Sequence, residues 1–479
     1  MKWWKKLKNL DNSMPTSLEI TIANRFLIFS TFILNAFFLI NCIIKSSNLF
    51  IVLIIFVLIS DVIISIVKRN YVLLLFLFTF TFFQLSRILL YFLGVSELNW
   101  NRGYVGDSFN NEVCLFILKL DYIVLTGINI SFWIKRNIDK KQGFSKKEFS
   151  INGINSKIAF FLYCMTIFAS IFQNILAYRF VQANGYVAYY KDFHPPYLIM
   201  VIAGFSKIYF YLYICVSKKI SKIVLILYCI NMVTSIITGV RSEFVLSLML
   251  LLFIYWNRKR NFSFRNLLKF IIPGICLFVL LFFSAGFKSK DLIKGVKAKD
   301  IFVYFLDSQG VSLVIPGYVK EYEDDIPDKG IAYLFPKQIN VFQNITKTKF
   351  TDRKDEAING FYISKYISYR VLGRRYENGE GMGGAFHADL YHIFGFFGVF
   401  IFSVFLGIFS IKLSDIKGGN FRYLILLSLI YWLFYIPRAQ PLDILGELFS
   451  IKFWIAIFGY LSILKLLTLQ KEEGQKNGY

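Results

Sequence analysis

Cysteine and histidine are scarce in this sequence: 479 residues include six of the first and three of the second. Every cysteine falls in or at the edge of an apolar block, and none stands in a long loop. A disulfide framework or a metal cluster needs several such side chains close together. We therefore expect no structural disulfide, no metal site and no cofactor.

Charged residues are also few, at 18% of the chain, whereas 56% of the residues are hydrophobic and 54 are phenylalanine. The apolar residues form blocks of about twenty, long enough to cross about 30 Å of hydrocarbon as helices. A soluble domain does not contain so many long apolar blocks, so the sequence predicts an all-α integral membrane protein with about twelve transmembrane helices. We place them at residues 22–44, 49–67, 71–93, 112–134, 158–178, 197–216, 223–239, 242–256, 268–287, 386–411, 421–436 and 446–467.

The net charge of +24 could indicate a nucleic-acid partner, but the basic residues concentrate in alternate short loops between apolar blocks. This bias is typical of the cytoplasmic loops of multi-pass proteins. It predicts that the partner of the protein is the lipid bilayer and not nucleic acid. It also predicts that both termini are cytoplasmic. The first apolar block is too long for a cleavable signal, so we expect a retained first helix.

One long segment interrupts this layout and divides the chain into three regions. Residues 1–287 hold predicted helices one to nine, residues 288–385 form a large external loop, and residues 386–479 hold helices ten to twelve and a cytoplasmic tail. The loop contains enough Tyr, Phe and Pro to fold. Because structureless loops of this length are unusual, we expect it to be ordered and functional.

Five arginines stand on the predicted outer side. Arg241 and Arg438 stand at outer turns between predicted spans, and the end of the large loop holds Arg370, Arg374 and Arg375. The planar guanidinium donates hydrogen bonds in a fork that suits phosphate oxygens. Arginines that converge at the outer membrane face would bind a diphosphate. The alternative is that Arg241 and Arg438 only extend to the membrane interface or pair with Glu243 and Asp443.

The start of the tenth predicted span holds two histidines and a carboxylate, His387, Asp389 and His392. A base at this position could accept a proton from a sugar hydroxyl. His387 and Asp389 lie about 200° apart on one helix, so they share a site only if the helix begins after His387. We favour His387 as the base, in loop conformation after two glycines and reaching the outer surface. The alternative is that Asp389 serves only as an interfacial cap at a helix N-terminus.

Three further charged features have structural explanations. Arg87 and Asp121, in neighbouring spans, are expected to form a buried pair. Lys207, near the middle of the sixth span, lines a cavity or pairs with a polar group that the sequence does not name. The acidic run at 321–325 is expected to be a solvated turn.

Four short motifs resemble those of one family: Thr-Gly-x-Arg at 238–241, Ser-Gln-Gly at 308–310, Gly-Gly-x-x-His-Ala-Asp-Leu-Tyr-x-x-Phe-Gly-x-x-Gly at 383–398, and Pro-Arg-Ala-Gln at 437–440. The family is that of the bacterial O-antigen and capsular polysaccharide polymerases, Wzy. The layout of many helices and a late external loop is also similar, and it resembles GT-C-type glycosyltransferases. Family members often show a glutamate in the helix after the loop, where this chain has Asp389.

The resemblance implies a glycosyltransferase of the bacterial inner membrane. It would transfer a growing glycan from polyprenyl diphosphate onto a new lipid-linked repeat unit at the outer face, making O-antigen or capsule. The arginines would hold the diphosphate, and a base at His387 or Asp389 would activate the acceptor. Polyprenyl-diphosphate-linked oligosaccharides would be the substrates, with a chain-length regulator and a flippase as partners.

Three rival functions fit the same layout less well. A lipid-linked oligosaccharide flippase would have two related halves and no large loop, yet the sequence shows no internal repeat. An O-antigen ligase would share the architecture and chemistry but use a different acceptor. A non-catalytic assembly scaffold would leave the arginines unexplained.

Overall fold

The computed structural model describes residues 35–95, 99–139, 153–185, 188–189, 192–217, 219–238, 241–259, 298–339, 350–414, 416 and 421–476. Within these residues the regular elements are helices, and a bridge joins Arg102 to Ser108. The predicted all-α class is confirmed. The predicted span at 268–287, most of the span at 22–44 and parts of the large loop lie outside the described residues.

The helices are named in chain order. Before the large loop they are α1 Asn35–Ile44, α2 Ser47–Val67, α3 Tyr71–Phe92, α4 Asn111–Asp139, α5 Gly153–Asn184, α6 Tyr197–Val216, α7 Lys222–Ile237 and α8 Arg241–Lys259. The loop contains α9 Ala298–Gln309, α10 Ile315–Glu321, α11 Arg353–Asn359, α12 Ile363–Leu372 and α13 Arg374–Glu377. The chain continues with α14 Phe386–Ser414, α15 Phe421–Leu433 and α16 Ile451–Lys476.

Seven helical stretches among the described residues are long and apolar enough to cross a membrane. They are α2 to α6, α14, and α15 with its extension to Arg438. Each matches a predicted span, while α7, α8 and α16 are helices at three more of the predicted positions. Polar caps set some of the boundaries: Ser46 accepts a hydrogen bond from Leu49 N at the start of α2, and Asn70 does the same for Leu73 N in α3. The number of twelve spans stays a prediction.

The described parts of the large loop form helices and turns, and its external location stays a prediction. The end of the helix bundle at which these residues lie is called the loop side below. At this end Gly310, of the Ser-Gln-Gly motif, packs directly on α3. A Cβ atom added to Gly310 would lie 2.3 Å from Ser86 Oγ and 3.1 Å from Arg87 N. Only glycine permits this close approach of loop and helix.

A buried ion pair also ties the loop to the bundle. The Arg87 Nε lies 3.1 Å from Asp307 Oδ1, and Arg102 Nη2 lies 3.3 Å from Asp307 Oδ2. Arg87 also donates to the carbonyl of Arg102 at 2.7 Å. The predicted Arg87–Asp121 pair is therefore wrong. A side chain in one span can contact the large loop as well as the neighbouring spans, and here α9 of the loop supplies the carboxylate.

Small residues bring α4 and α14 together over the deeper half of the bundle. A Cβ on Gly127 would lie 2.7 Å from Ser403 Cβ, and one on Gly407 would lie 2.3 Å from Ser131 Oγ. Close approach through small side chains is the usual way in which helices associate in membranes. Since both contacts advance in the same direction along the chain, α4 and this part of α14 run parallel, away from the loop side.

The helix α14 is broken at Gly395, whose backbone has φ 63° and ψ −164°. The Phe386 ring lies 5.9 Å from the Phe402 ring, and the Tyr391 ring lies 5.0 Å from the Phe396 ring. In a straight helix, residues as far apart as 386 and 402 would be separated by about 24 Å. The chain therefore doubles back at Gly395, and α14 is a helical hairpin. Its first arm, residues 386–394, is called the half-helix below.

The half-helix begins deep in the bundle and rises toward the loop side. At its start His387 lies against Asp121 of α4, and farther along Tyr391 lies against Phe116, at 4.6 Å between rings. Asp121 is about 15 Å from the loop-side end of α4, at about 1.5 Å per residue. The tenth predicted span is thus not one straight crossing helix: residues 386–394 turn back, and the second arm of α14 runs the length of the bundle.

Candidate functional site

Arg438 lies at the loop side, at the end of the helical turn Ile436–Arg438 that follows α15. Its guanidinium carbon is 5.8 Å from the centre of the Phe83 ring. Gly383 packs on the same side chain: a Cβ there would lie 3.0 Å from Arg438 Nε. The left-handed backbone of Gly383, φ 88°, also favours glycine. Two features of one residue thus leave room for the guanidinium.

The half-buried guanidinium of Arg438 has no hydrogen bond or ion pair among the described residues. The suggested alternative, a pair with Asp443, is wrong, because Asp443 lies 3.2 Å from Lys337 Nζ. Lys337 also stands over the Trp432 ring at 3.5 Å. Burial raises the pKa of Asp443, opposed by the Lys337 ammonium, and burial lowers the pKa of Lys337. A half-buried cation without a partner among the described residues can bind an anionic ligand.

The side chain of Arg241 lies outside the described part of the structure. Its alternative partner, Glu243, pairs with Lys207 at 3.6 Å. Lys207 also donates to Tyr431 Oη at 2.9 Å and lies 4.0 Å from the centre of that ring. The structure therefore identifies the partners of Lys207 that the sequence could not name.

The three arginines at the end of the loop do not meet Arg438 in any contact among the described residues. Arg370 pairs with Asp325, and Arg375 lies 2.7 Å from Glu380; both pairs are largely exposed. Arg374 is exposed as well. The acidic run at 321–325 forms the expected turn, in which Glu323 binds Lys320 at 2.6 Å.

His387 is completely buried inside the bundle. Its Nε2 lies 3.5 Å from Asp121 Oδ1, and its ring is 6.3 Å from the Phe80 ring. Neither nitrogen of His387 has a hydrogen bond within the described residues. The expectation that His387 stays in the loop and reaches the outer surface is wrong, because the helix already begins at Phe386 and starts deep in the bundle.

Asp389 lies on another side of the half-helix, together with His392. Its carboxylate is close enough to Tyr333 and Asp443 for their charges to interact. The Tyr333 ring lies 5.8 Å from the His392 ring. Burial raises the pKa of the Tyr333 hydroxyl, and the charges of Asp328 and Asp389 raise it further. Both oxygens of Asp389 lack a hydrogen bond among the described residues.

The structure thus separates two sets of residues that the sequence places together. Asp389, His392 and Tyr333 form a polar group at the loop side, with Asp443 and Lys337 beside it. His387 is paired with Asp121 beneath them. Sequence reasoning missed Tyr333 and Lys337, which stand in a loop without a motif. Within the described part of the chain, no three His, Cys, Asp or Glu side chains are grouped closely enough to hold a metal ion.

Comparison with known proteins supplies the family. A family model described as O-antigen polysaccharide polymerase Wzy matches residues 22–471. No curated protein and no solved structure matches the chain. The family match covers nearly the whole sequence, including the arginine turns, the loop and the broken helix α14. The chain therefore belongs to the Wzy family of O-antigen polysaccharide polymerases.

Proposed function

We propose that Arg438 and Arg241 bind the diphosphate of a polyprenyl-linked glycan, which the protein transfers onto a new repeat unit. As a member of the Wzy family, this membrane protein acts on lipid-linked repeat units and polymerises them into O-antigen. The observation that carries the proposal is the unpaired, half-buried guanidinium of Arg438. In surroundings of low polarity, fixed donors stabilise a developing negative charge far more strongly than in water.

The proposed reaction exchanges one bond for another. An acceptor hydroxyl oxygen attacks the anomeric carbon of the donor sugar, and the bond from that carbon to the diphosphate oxygen breaks. The diphosphate leaves with the electron pair and is stabilised by Arg438 and Arg241. A general base accepts the proton of the hydroxyl.

We assign the base to Asp389 and a positioning role to His387. Asp389 is part of the polar group at the loop side, and its oxygens make no hydrogen bond among the described residues. His387 is buried against Asp121 and fixes the deep end of the half-helix that carries Asp389. His392 and Tyr333, next to Asp389, would orient the acceptor.

The exposed Arg370, Arg374 and Arg375 would attract the anionic diphosphate toward the site before it binds. The loop side would be the outer face of the bacterial inner membrane, with both termini cytoplasmic and about twelve crossing helices in a GT-C-like arrangement. A flippase and a chain-length regulator would act before and beside the enzyme.

The test is the chain length of surface polysaccharide in a deletion strain that carries variants at equal expression. Arg438→Ala should lower polymerisation by about a hundredfold or more, the usual effect of removing one donor to a developing charge. Arg438→Lys should restore it only in part, because the lysine lacks the bidentate fork. The matched control is Arg422→Ala, an exposed arginine at the other end of α15. Normal chains from Arg438→Ala would refute the diphosphate role.

A further inference from the structure

A cleft of about 430 Å³ runs along the hairpin α14. All of its lining side chains are apolar. At one end Leu334, Leu390 and Leu442 line the cleft at about the level where the second arm begins. That arm then lines the cleft along its length with Phe397, Ile401 and Phe405. Those three are about half or more exposed, so the cleft opens sideways, toward the surface that faces lipid.

The two ends of the cleft differ in their surroundings. Each leucine at the first end is the neighbour in sequence of a polar residue of the candidate site: Leu334 of Tyr333, Leu390 of Asp389, and Leu442 of Asp443. The second end, at Phe405, is about 15 Å from Gly395 along the helix axis. The cleft therefore leads from the polar site down the second arm into the apolar bundle.

We propose that this cleft binds the isoprenoid chain of the lipid-linked donor whose diphosphate lies at Arg438. The inference rests on the proposed function for the position of the headgroup. A long apolar chain attached to a polar head matches a groove that is apolar throughout and ends beside polar groups. The reacting sugar carbon is bonded directly to the diphosphate, so the donor's chain, and not the acceptor's, must begin next to the site.

The apolar surface of α16 lacks these features among the described residues. On α16 the exposed side chains Trp454, Phe458 and Leu461 are equally apolar. No polar cluster of the candidate site adjoins them among the described residues. Phe458, 61% exposed, therefore offers a matched control for Ile401, 50% exposed.

The first experiment labels the purified full chain in phosphatidylethanolamine–phosphatidylglycerol nanodiscs with a photoreactive polyprenyl diphosphate. Labelled peptides should map to residues 390–405, and unlabelled polyprenyl diphosphate should compete. Ile401→Trp, which fills the cleft, should reduce this labelling about tenfold, equivalent to about 1.4 kcal/mol of lost apolar contact, while Phe458→Trp should not. Two results would overturn the proposal, because each would show that the cleft holds bulk lipid. One is equal labelling of α16, and the other is labelling of the cleft that phospholipid displaces but polyprenyl diphosphate does not.

The second experiment measures polymerisation with two donors, one with a full-length chain and one with a chain of two isoprene units. Ile401→Trp should reduce the rate with the long donor about tenfold, by the same conversion, and leave the rate with the short donor nearly unchanged. Equal losses with both donors would place the effect at the polar site and refute the cleft. If the unaltered protein polymerised neither donor, the proposed function would fail, whatever the labelling showed.

Discussion

The broken backbone at Gly395 gives the most direct test of the hairpin. With φ 63° and ψ −164°, Gly395 occupies a region that is essentially restricted to glycine. A Cβ added there would meet nothing within 4 Å, so the effect of Gly395→Ala comes from the backbone and not from crowding. Forcing another residue into this region costs about 1–3 kcal/mol. That is roughly a 5- to 150-fold shift of an equilibrium between the folded hairpin and a straightened helix.

The assay compares thermal unfolding of the purified protein in detergent with polymer length in a deletion strain. Gly395→Ala should unfold at a lower temperature and make shorter chains, because a displaced half-helix moves Asp389 away from Tyr333. Gly459→Ala is the control: Gly459 lies inside α16, and a Cβ there also meets nothing within 4 Å. Alanine in a regular helix should stabilise the protein by about 0.4–1 kcal/mol. Identical behaviour of the two variants would refute the hairpin.

Three other predictions test the remaining contacts. Asp389→Asn should reduce polymerisation about a hundredfold without loss of protein, as expected for removal of a general base; full-length chains would move the base elsewhere. Gly310→Ala should loosen the loop from α3 and lower stability by about 1–3 kcal/mol, as in other overpacked sites; an unchanged unfolding temperature would show that the contact with Ser86 is easily relieved. His387→Leu should destabilise the protein by about 1–3 kcal/mol, because it takes away the polar side chain that lies 3.5 Å from the buried Asp121 carboxylate. Exchange of the pair by Asp121→His with His387→Asp should recover part of that loss, and no recovery would contradict the pairing.

The crossing helices could be predicted from sequence because their length and composition alone mark them. The predicted spans at 49–67 and 71–93 correspond to Ser47–Val67 and Tyr71–Phe92. A membrane span is apolar over about twenty consecutive residues, so its hydropathy can be calculated from that local stretch of sequence alone. The family resemblance, drawn from four short motifs, is confirmed by a match over nearly the entire chain.

The hairpin could not be predicted in this way. Both arms of α14 are apolar, and a window of apolar residues shows the same hydropathy whether the helix is straight or doubled back. The signal available in the sequence was the pair Gly395 and Gly398, since glycine inside an apolar helix often marks a break. Contacts distant in sequence, Phe386 with Phe402, show the reversal directly.

Charge pairing failed for a related reason. Asp121 was expected beside Arg87, and Asp443 was the alternative partner of Arg438; each carboxylate instead meets another residue. Lys337, from the loop, takes Asp443, and His387 meets Asp121. A pairing between spans depends on where the long loop inserts its side chains, and sequence spacing contains no information on that insertion. The structure places Arg438 against Gly383 of the large loop, and its position at the outer membrane face stays a prediction.

The buried pair beneath the site connects these observations. Two polar side chains inside an apolar bundle cost free energy that two apolar side chains of similar volume would not. An apolar contact, however, tolerates rotation of a short helix about its own axis, whereas His387 and Asp121 approach each other in one orientation only. Since Asp389 stands about 200° around the helix from His387, that orientation turns Asp389 toward Tyr333 and away from Asp121. We infer that the pair fixes which face of the half-helix meets the substrate.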